Sequence, residues 1–267
     1  MKETRMRERQ WRSKTRPRRA RERGHDGWGE RQSDAVILYG WHTVAAALGN
    51  PARKIRRLLA TENAVRRLRE DGIALPQALE MVRPDAIAAR LPPDAVHQGL
   101  FAEADPLPSP DLEELPANGI VLVLDQITDP HNFGAILRTA AAFAVGAVIT
   151  TVRHSPQAGG VLAKSASAAL EFVPIVHVGN LARALAALKE RGFLLVGLDS
   201  EAADEFAALK LHAPLALVLG AEGKGLRQGT RVACDRLARL ALPGAIKSLN
   251  VSNAAALALY IASRAIS

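Results

Sequence analysis

One cysteine, Cys234, stands in this chain of 267 residues. That excludes a disulfide framework and a metal centre built from cysteines. The histidines are scattered, and none groups with Asp or Glu at the spacing of zinc ligands, so no metal is expected. No stretch approaches the ~18 apolar residues of a membrane span, and the N-terminal stretch lacks the apolar run of a secretory signal. The default expectation is a cytoplasmic protein with no membrane contact. Catalytic signatures are missing too. There is no G-x-S-x-G elbow for a serine hydrolase and no G-x-G-x-x-G dinucleotide fingerprint, and "GAEGKGLR" lacks the Lys-Ser or Lys-Thr of a P-loop. No repeat at solenoid or propeller spacing is visible.

What is present is positive charge, and it is concentrated. The net charge is +8, and residues 1–24 hold eleven Lys and Arg against three Glu, which is 11 minus 3, or +8. The rest of the chain is formally neutral. Apart from Trp11 these 24 residues have almost nothing apolar to bury, so a disordered basic tail is expected over residues 1–34, with phosphate contact or solubility as its use. The remainder is different in kind. With 48% hydrophobic residues overall, the chain can form a real core.

Residues 35–104 alternate strand-like runs such as "VILYG" and "IRRLLAT" with helical stretches, which predicts a small α+β unit. Pro106, Pro108, Pro110 and Pro116 then mark a linker over residues 105–118. From residue 119 to 267, strand-like runs recur at 120–124, 147–151, 172–176, 193–198, 215–219 and 237–242, separated mostly by helices. That alternation predicts an α/β domain, a mainly parallel sheet covered by helices on both faces, with its ligand site at the strand ends.

Three loops follow apolar strands with unusual content. In "DPHNFGAILRTAAAF", Asn132 can cap the coming helix and Gly134 can relax the turn. Arg138 is then left near a helix start, where a cation opposes the helix dipole and asks for an anion. In "LALVLGAEGKGLR", Gly220, Gly223 and Gly225 expose backbone N–H groups around Glu222. In "LALPGAIKSLNVSNAAALALY", Ser248, Asn250, Ser252 and Asn253 exceed what one helix cap needs. The set suits a cofactor and a polyanion better than hydrolysis.

Taken in order, "DPHNFGAILRTAAAF", "LVLGAEGKGLR" and "SLNVS" resemble the three motifs of the SpoU family of RNA ribose 2'-O-methyltransferases, in the SPOUT superfamily. "KSASAALEFVP" fits the same likeness. The front stretches "LYGWHTVAAAL" and "HQGLFAE" are similar to the small L30e/L7Ae-like RNA-binding domain of the ribosomal-RNA and transfer-RNA members. The resemblance covers residue 37 to the C-terminus and implies S-adenosylmethionine as cofactor, a C-terminal trefoil knot and a homodimer whose partner completes the site. It assigns Gly220, Leu240, Leu249, Leu219 and Leu242 to the cofactor. It assigns Asn132, Arg138, Glu222, Ser248 and Asn250 to catalysis, with Arg138 as the proposed activator of the hydroxyl. A guanidinium rarely accepts a proton, so phosphate binding and electrostatic stabilisation are the role expected of it. The chain departs from the family where Leu240-Ala241-Leu242 replaces Ile-Pro-Met, and where Asn253 replaces Val. A guanosine of 23S ribosomal RNA is the expected substrate. The alternatives are a transfer RNA, or a catalytically silent RNA-binding assembly protein on the same fold.

Overall fold

The computed structural model describes residues 35–156 and 160–266. The basic tail lies outside the described residues. The first elements are β1 (Val36–Tyr39), α1 (Trp41–Gly49), β2 (Ile55–Ala60), α2 (Glu62–Glu70), β3 (Leu79–Met81), α3 (Pro84–Ala88) and β4 (Leu100–Ala104). Their sheet has the order β1-β4-β2-β3, with β4 antiparallel to both its neighbours and β3 parallel to β2. Helix α2 shows why such a charged segment folds. Thr61 caps it, Glu62 opens its first turn, Arg67 and Arg69 close its last, and Ala64, Val65 and Leu68 form the buried stripe. Arg67 also lies 3.8 Å over the Trp41 ring, joining α2 to α1.

The second sheet is built from β5 (Ile120–Asp125), α4 (Pro130–Ala142), β6 (Ala147–Thr151), α5 (Gly160–Ala166), β7 (Ile175–Val178), α6 (Leu181–Glu190), β8 (Leu194–Leu198), β9 (Asp204–Glu205), β10 (Leu215–Gly220), α7 (Gln228–Ala233), β11 (Arg236–Arg239) and α8 (Val251–Ile266). Its order is β7-β6-β5-β10-β8-β11-β9, and every pairing is parallel. The wholly buried run of β5 explains itself in this position. Ile120, Leu122 and Leu124 meet the cluster that includes α4, α5 and α8, while Val121 and Val123 meet the one under α6. A strand covered on both faces needs no polar alternation.

Several boundaries differ from expectation for local reasons. The run at 172–176 begins three residues later as β7, because Ala169–Glu171 forms a 3-10 turn and Pro174 precedes the strand. The last run stops at Arg239, and Leu240 and Leu242 leave the sheet to line a cavity. Strand β9, two residues at the sheet edge, is too short to show any periodicity. The proline-bearing segment is not free of structure. Asp111 and Glu114 form a capping box around a 3-10 turn at Leu112–Glu114. Leu112 and Leu115 are buried in the α6 cluster, and the Arg191 guanidinium donates to both their carbonyls.

The two sheets are joined by a buried ion pair. Arg53, just before β2, donates from Nη2 to Glu171 Oε1 at 2.7 Å, and the two side chains are 3% and 2% exposed. Asn50 Nδ2 donates to the other carboxylate oxygen at 2.8 Å, and Arg53 Nη1 donates to the Asp105 carbonyl at 2.8 Å. Most polar valences of the pair are thus satisfied, which a buried charge requires. Around it the apolar core runs without interruption from β1 and β4 to α4 and α5.

Candidate active site

The three polar loops meet at the C-terminal edge of the parallel sheet. After β5 the chain turns through Gln126 at φ 63° and enters α4 with Asp129 as its cap, the Asp129 carboxylate accepting from the His131 N–H at 3.1 Å. Pro130 takes the first helical position, where its missing donor costs nothing. Two sequence expectations change here. Asn132 is not the cap but lies within the first turn, its side chain free for other partners. Gly134 is inside the helix, at the crossing with α5, where a Cβ would stand 2.4 Å from Ser165 Cβ and 2.8 Å from the Ala166 nitrogen.

After β10 the loop folds back on itself. Gly225 N–H donates to the Ala221 carbonyl at 2.8 Å, with Gly223 at φ 72° and Gly225 at φ 62°. This places Glu222 at the loop's tip. Its Oε1 accepts from Asn250 Nδ2, from the Val251 N–H at 3.1 Å and, longer, from Asn132 Nδ2 at 3.4 Å. Asn250 Nδ2 also reaches Asn132 Oδ1 at 2.9 Å, and Asn250 Oδ1 accepts from Ser252 Oγ and Ser252 N at 2.6 and 3.0 Å. One carboxylate and two carboxamides therefore tie together three segments far apart in sequence.

Beside this cluster is a cavity of 320 Å³. Leu219, Gly220, Leu240, Leu242 and Leu249 all line it, as do Glu222 and Ser248. Two further lining residues escaped the sequence reading. Asp199 follows β8, a strand-end position that could have flagged it, and its buried carboxylate forms an ion pair with Arg231. Lys247 lies inside the third loop, with its Nζ donating to the Leu242 carbonyl at 3.1 Å. The site's hidden brace was also missed. Asp125 at the end of β5 is fully buried and accepts from Arg227 Nε at 2.7 Å and Arg227 N at 3.0 Å, pinning the far end of the Glu222 loop.

Arg138 stands apart. It is the ninth residue of a thirteen-residue helix, not near its start, because Asp129 and Pro130 begin α4 early. The conflict with the dipole disappears, since Arg138 lies well beyond the first turn, where the effect of the dipole has fallen off. It is exposed and makes no hydrogen bond or ion pair among the described residues. Six residues separate it from Asn132, which is about 9 Å along the axis and about 240° around it, so the two side chains leave different faces. Cys234 offers no nucleophile. Burial pushes its thiol up to about 12, and it packs over Gly197. Among the described residues no helix is long and apolar enough to cross a membrane, and no group of His, Cys, Asp or Glu is placed to hold a metal.

A parallel sheet whose edge cavity is walled by a glycine loop and a returning C-terminal segment defines a class. The chain belongs to the SpoU rRNA Methylase family, which it matches over residues 119–260, and residues 37–110 match the family described as RNA 2'-O ribose methyltransferase substrate binding. Individual relatives narrow the likeness. The chain is 39% identical over 238 residues to the 23S rRNA (guanosine-2'-O-)-methyltransferase RlmB of Pseudomonas putida, covering 85% of this chain and 95% of that one. It is 39% identical over 243 residues to the RlmB of Vibrio cholerae, covering 85% and 96%. In fold it is similar to the SpoU methyltransferase AviRb from Streptomyces viridochromogenes in complex with AdoMet, with a TM-score of 0.75 at 23% identity over 87% of this chain and 91% of that one.

Proposed function

We propose that this protein transfers the methyl group of S-adenosylmethionine to the ribose 2'-hydroxyl of a guanosine in 23S ribosomal RNA. The observation that carries the reading is the junction of the Asn132–Glu222–Asn250 cluster with the 320 Å³ cavity on one strand edge. The cavity fits the cofactor in kind. Leucine side chains from three segments can wall a flat base, and the exposed backbone of the Gly220–Gly225 loop supplies polar partners. S-adenosylmethionine would supply an electrophilic methyl group on a positively charged sulfur that leaves as the neutral thioether, so the protein's task is alignment and electrostatic stabilisation of the ribose oxygen as its proton is released to water. Gly220, Leu240, Leu249, Leu219 and Leu242 hold the cofactor. Asn132, Glu222 and Asn250 fix the loops, and Ser248 faces the same cavity.

Arg138 binds the RNA phosphate and stabilises negative charge on the attacking oxygen. Its separation from Asn132 around α4 supports a homodimer in which the cation of one protomer serves the cavity of the other. The exposed Leu257 and Tyr260 of α8 are apolar surface suited to such an interface. The C-terminal segment is threaded as a trefoil knot. In support, the chain leaves β11, two positions beyond β10 in the sheet, and returns to pack α8 against α4. The four-stranded unit is the L30e/L7Ae-like RNA-gripping domain over residues 35–104, and the reaction belongs in the cytoplasm.

The test offers purified protein and labelled S-adenosylmethionine both to unmodified 23S rRNA fragments and to transfer RNA transcripts. Label is expected on one 23S guanosine ribose, and Arg138→Ala is expected to lower its rate by ~100-fold, as for loss of a transition-state donor. Label confined to transfer RNA would overturn the ribosomal assignment. RNA binding without label on either substrate would instead mean a silent assembly protein.

A further inference from the structure

A second cavity, of 630 Å³, opens at the same strand edge between the ends of β6 and β7 and the starts of α6 and α7. Arg153, Arg227, Thr151, Thr230, Asn180 and Ala182 are among the residues that line it, and no acidic residue does so among the described residues. The catalytic cluster and this cavity share one loop. Gly220 to Gly225 borders the cofactor cavity, and two residues later Arg227 borders this one.

Arg227 is held ready for an anion. Asp125 takes its Nε at 2.7 Å and its backbone N–H at 3.0 Å, which fixes the plane of the guanidinium. The two terminal nitrogens donate to nothing among the described residues, and the side chain is 40% exposed. A fork of parallel N–H donors with a fixed orientation matches phosphate oxygens at little entropic cost. Arg153 adds a second exposed guanidinium, and the start of α6, a helix of ten residues, borders the same space through Leu181 and Ala182 with the positive end of its dipole, its Arg183 N–H being taken by the Asn180 side chain at 3.1 Å.

The charge count selects the ligand. Arg153 and Arg227 bring +2, and the buried Asp125 behind Arg227 returns −1, leaving +1 to be matched. A phosphodiester carries one negative charge, whereas free phosphate and pyrophosphate carry more. We infer that this cavity seats one backbone phosphate of the RNA strand close to its target ribose, so that RNA grip and the geometry of the Glu222 loop act through the same Asp125–Arg227 anchor. The inference rests on the RNA-methylating reading and locates part of its substrate.

Arg153→Gln and Ala182→Glu test it without touching the Asp125–Arg227 brace. A glutamate near the start of α6 favours the helix while putting a carboxylate at the cavity, so the variant is expected to fold. Binding of an unmodified 23S rRNA fragment is titrated by fluorescence anisotropy at several salt concentrations, without S-adenosylmethionine. Arg153→Gln is expected to weaken binding ~10-fold at low salt and to lower the salt slope by about one. Ala182→Glu is expected to weaken it further, and S-adenosylmethionine affinity is expected to hold in both. Wild-type RNA affinity and slope in both variants overturn the inference. So does competition by millimolar pyrophosphate with RNA affinity unmoved by either substitution, which would mark a small-anion site. A wild-type protein that binds the fragment but labels nothing fails the methyltransferase reading alone, since the binding comparison is read without the reaction.

Discussion

Glu222 Oε1 receives donors from Asn132, Asn250 and Val251, so a single oxygen carries the register of three chain segments. Gly220 is as tightly constrained, though not as its sequence context implies. The glycine reads as room for a ligand, but a Cβ there would lie 2.2 Å from Gly225 C, 2.3 Å from Gly225 O and 2.4 Å from Leu226 N. The obstacle is the loop's own backbone, so bulk is not required for damage. Gly220→Ala is expected to push the loop outward, destabilising the fold by ~1–3 kcal/mol as overpacking does and lowering S-adenosylmethionine affinity at least ~10-fold. Thermal melts and calorimetric titration check both numbers, and unchanged affinity would remove this loop from the cofactor site. Asn250 was visible in sequence because its Ser- and Asn-rich stretch exceeds the needs of a helix cap, and Glu222 because it stands among glycines after an apolar strand, whereas Asn132 read from its residues alone as a plain cap. Asp125 and Arg227 were not visible, since a lone acid at a strand end and an Arg after a turn look like ordinary surface until the fold joins them.

Elements were legible in proportion to their burial. The central strands stood out as continuous apolar runs, and β6 matched its expected bounds of 147–151. Edge elements such as β9 and the 3-10 turns did not, because few side chains commit to one face there. The junction between the sheets was invisible for another reason: Arg53 and Glu171 are 118 residues apart, and each reads alone as solvated charge. Removing one partner strands a charge in a site with 2–3% exposure. Arg53→Ala or Glu171→Ala is therefore expected to cost ~3–5 kcal/mol in denaturant unfolding, and the double substitution markedly less than the sum. Simple additivity would show that the pair is not coupled.

At the scale of the molecule, net charge and the candidate active site occupy different parts of the chain. All of the +8 is matched by residues 1–24, while the two cavities at the strand edge belong to the formally neutral remainder. Deleting residues 1–24 is expected to weaken RNA binding at low salt and flatten its salt dependence, with the methylated nucleotide unchanged. Titrations at two ionic strengths and mapping of the modified site check this, and a shifted target would give the tail a role in selection. The remainder has its own mechanical character, set by the Arg53–Glu171 contact. Two opposite charges in a dry joint lose most when only partly separated, before water can reach either. The joint consequently behaves as a latch, closed or open with little between. Any excursion of the four-stranded sheet while RNA is loaded is then a rare, discrete event with its own rate rather than a continuous sway.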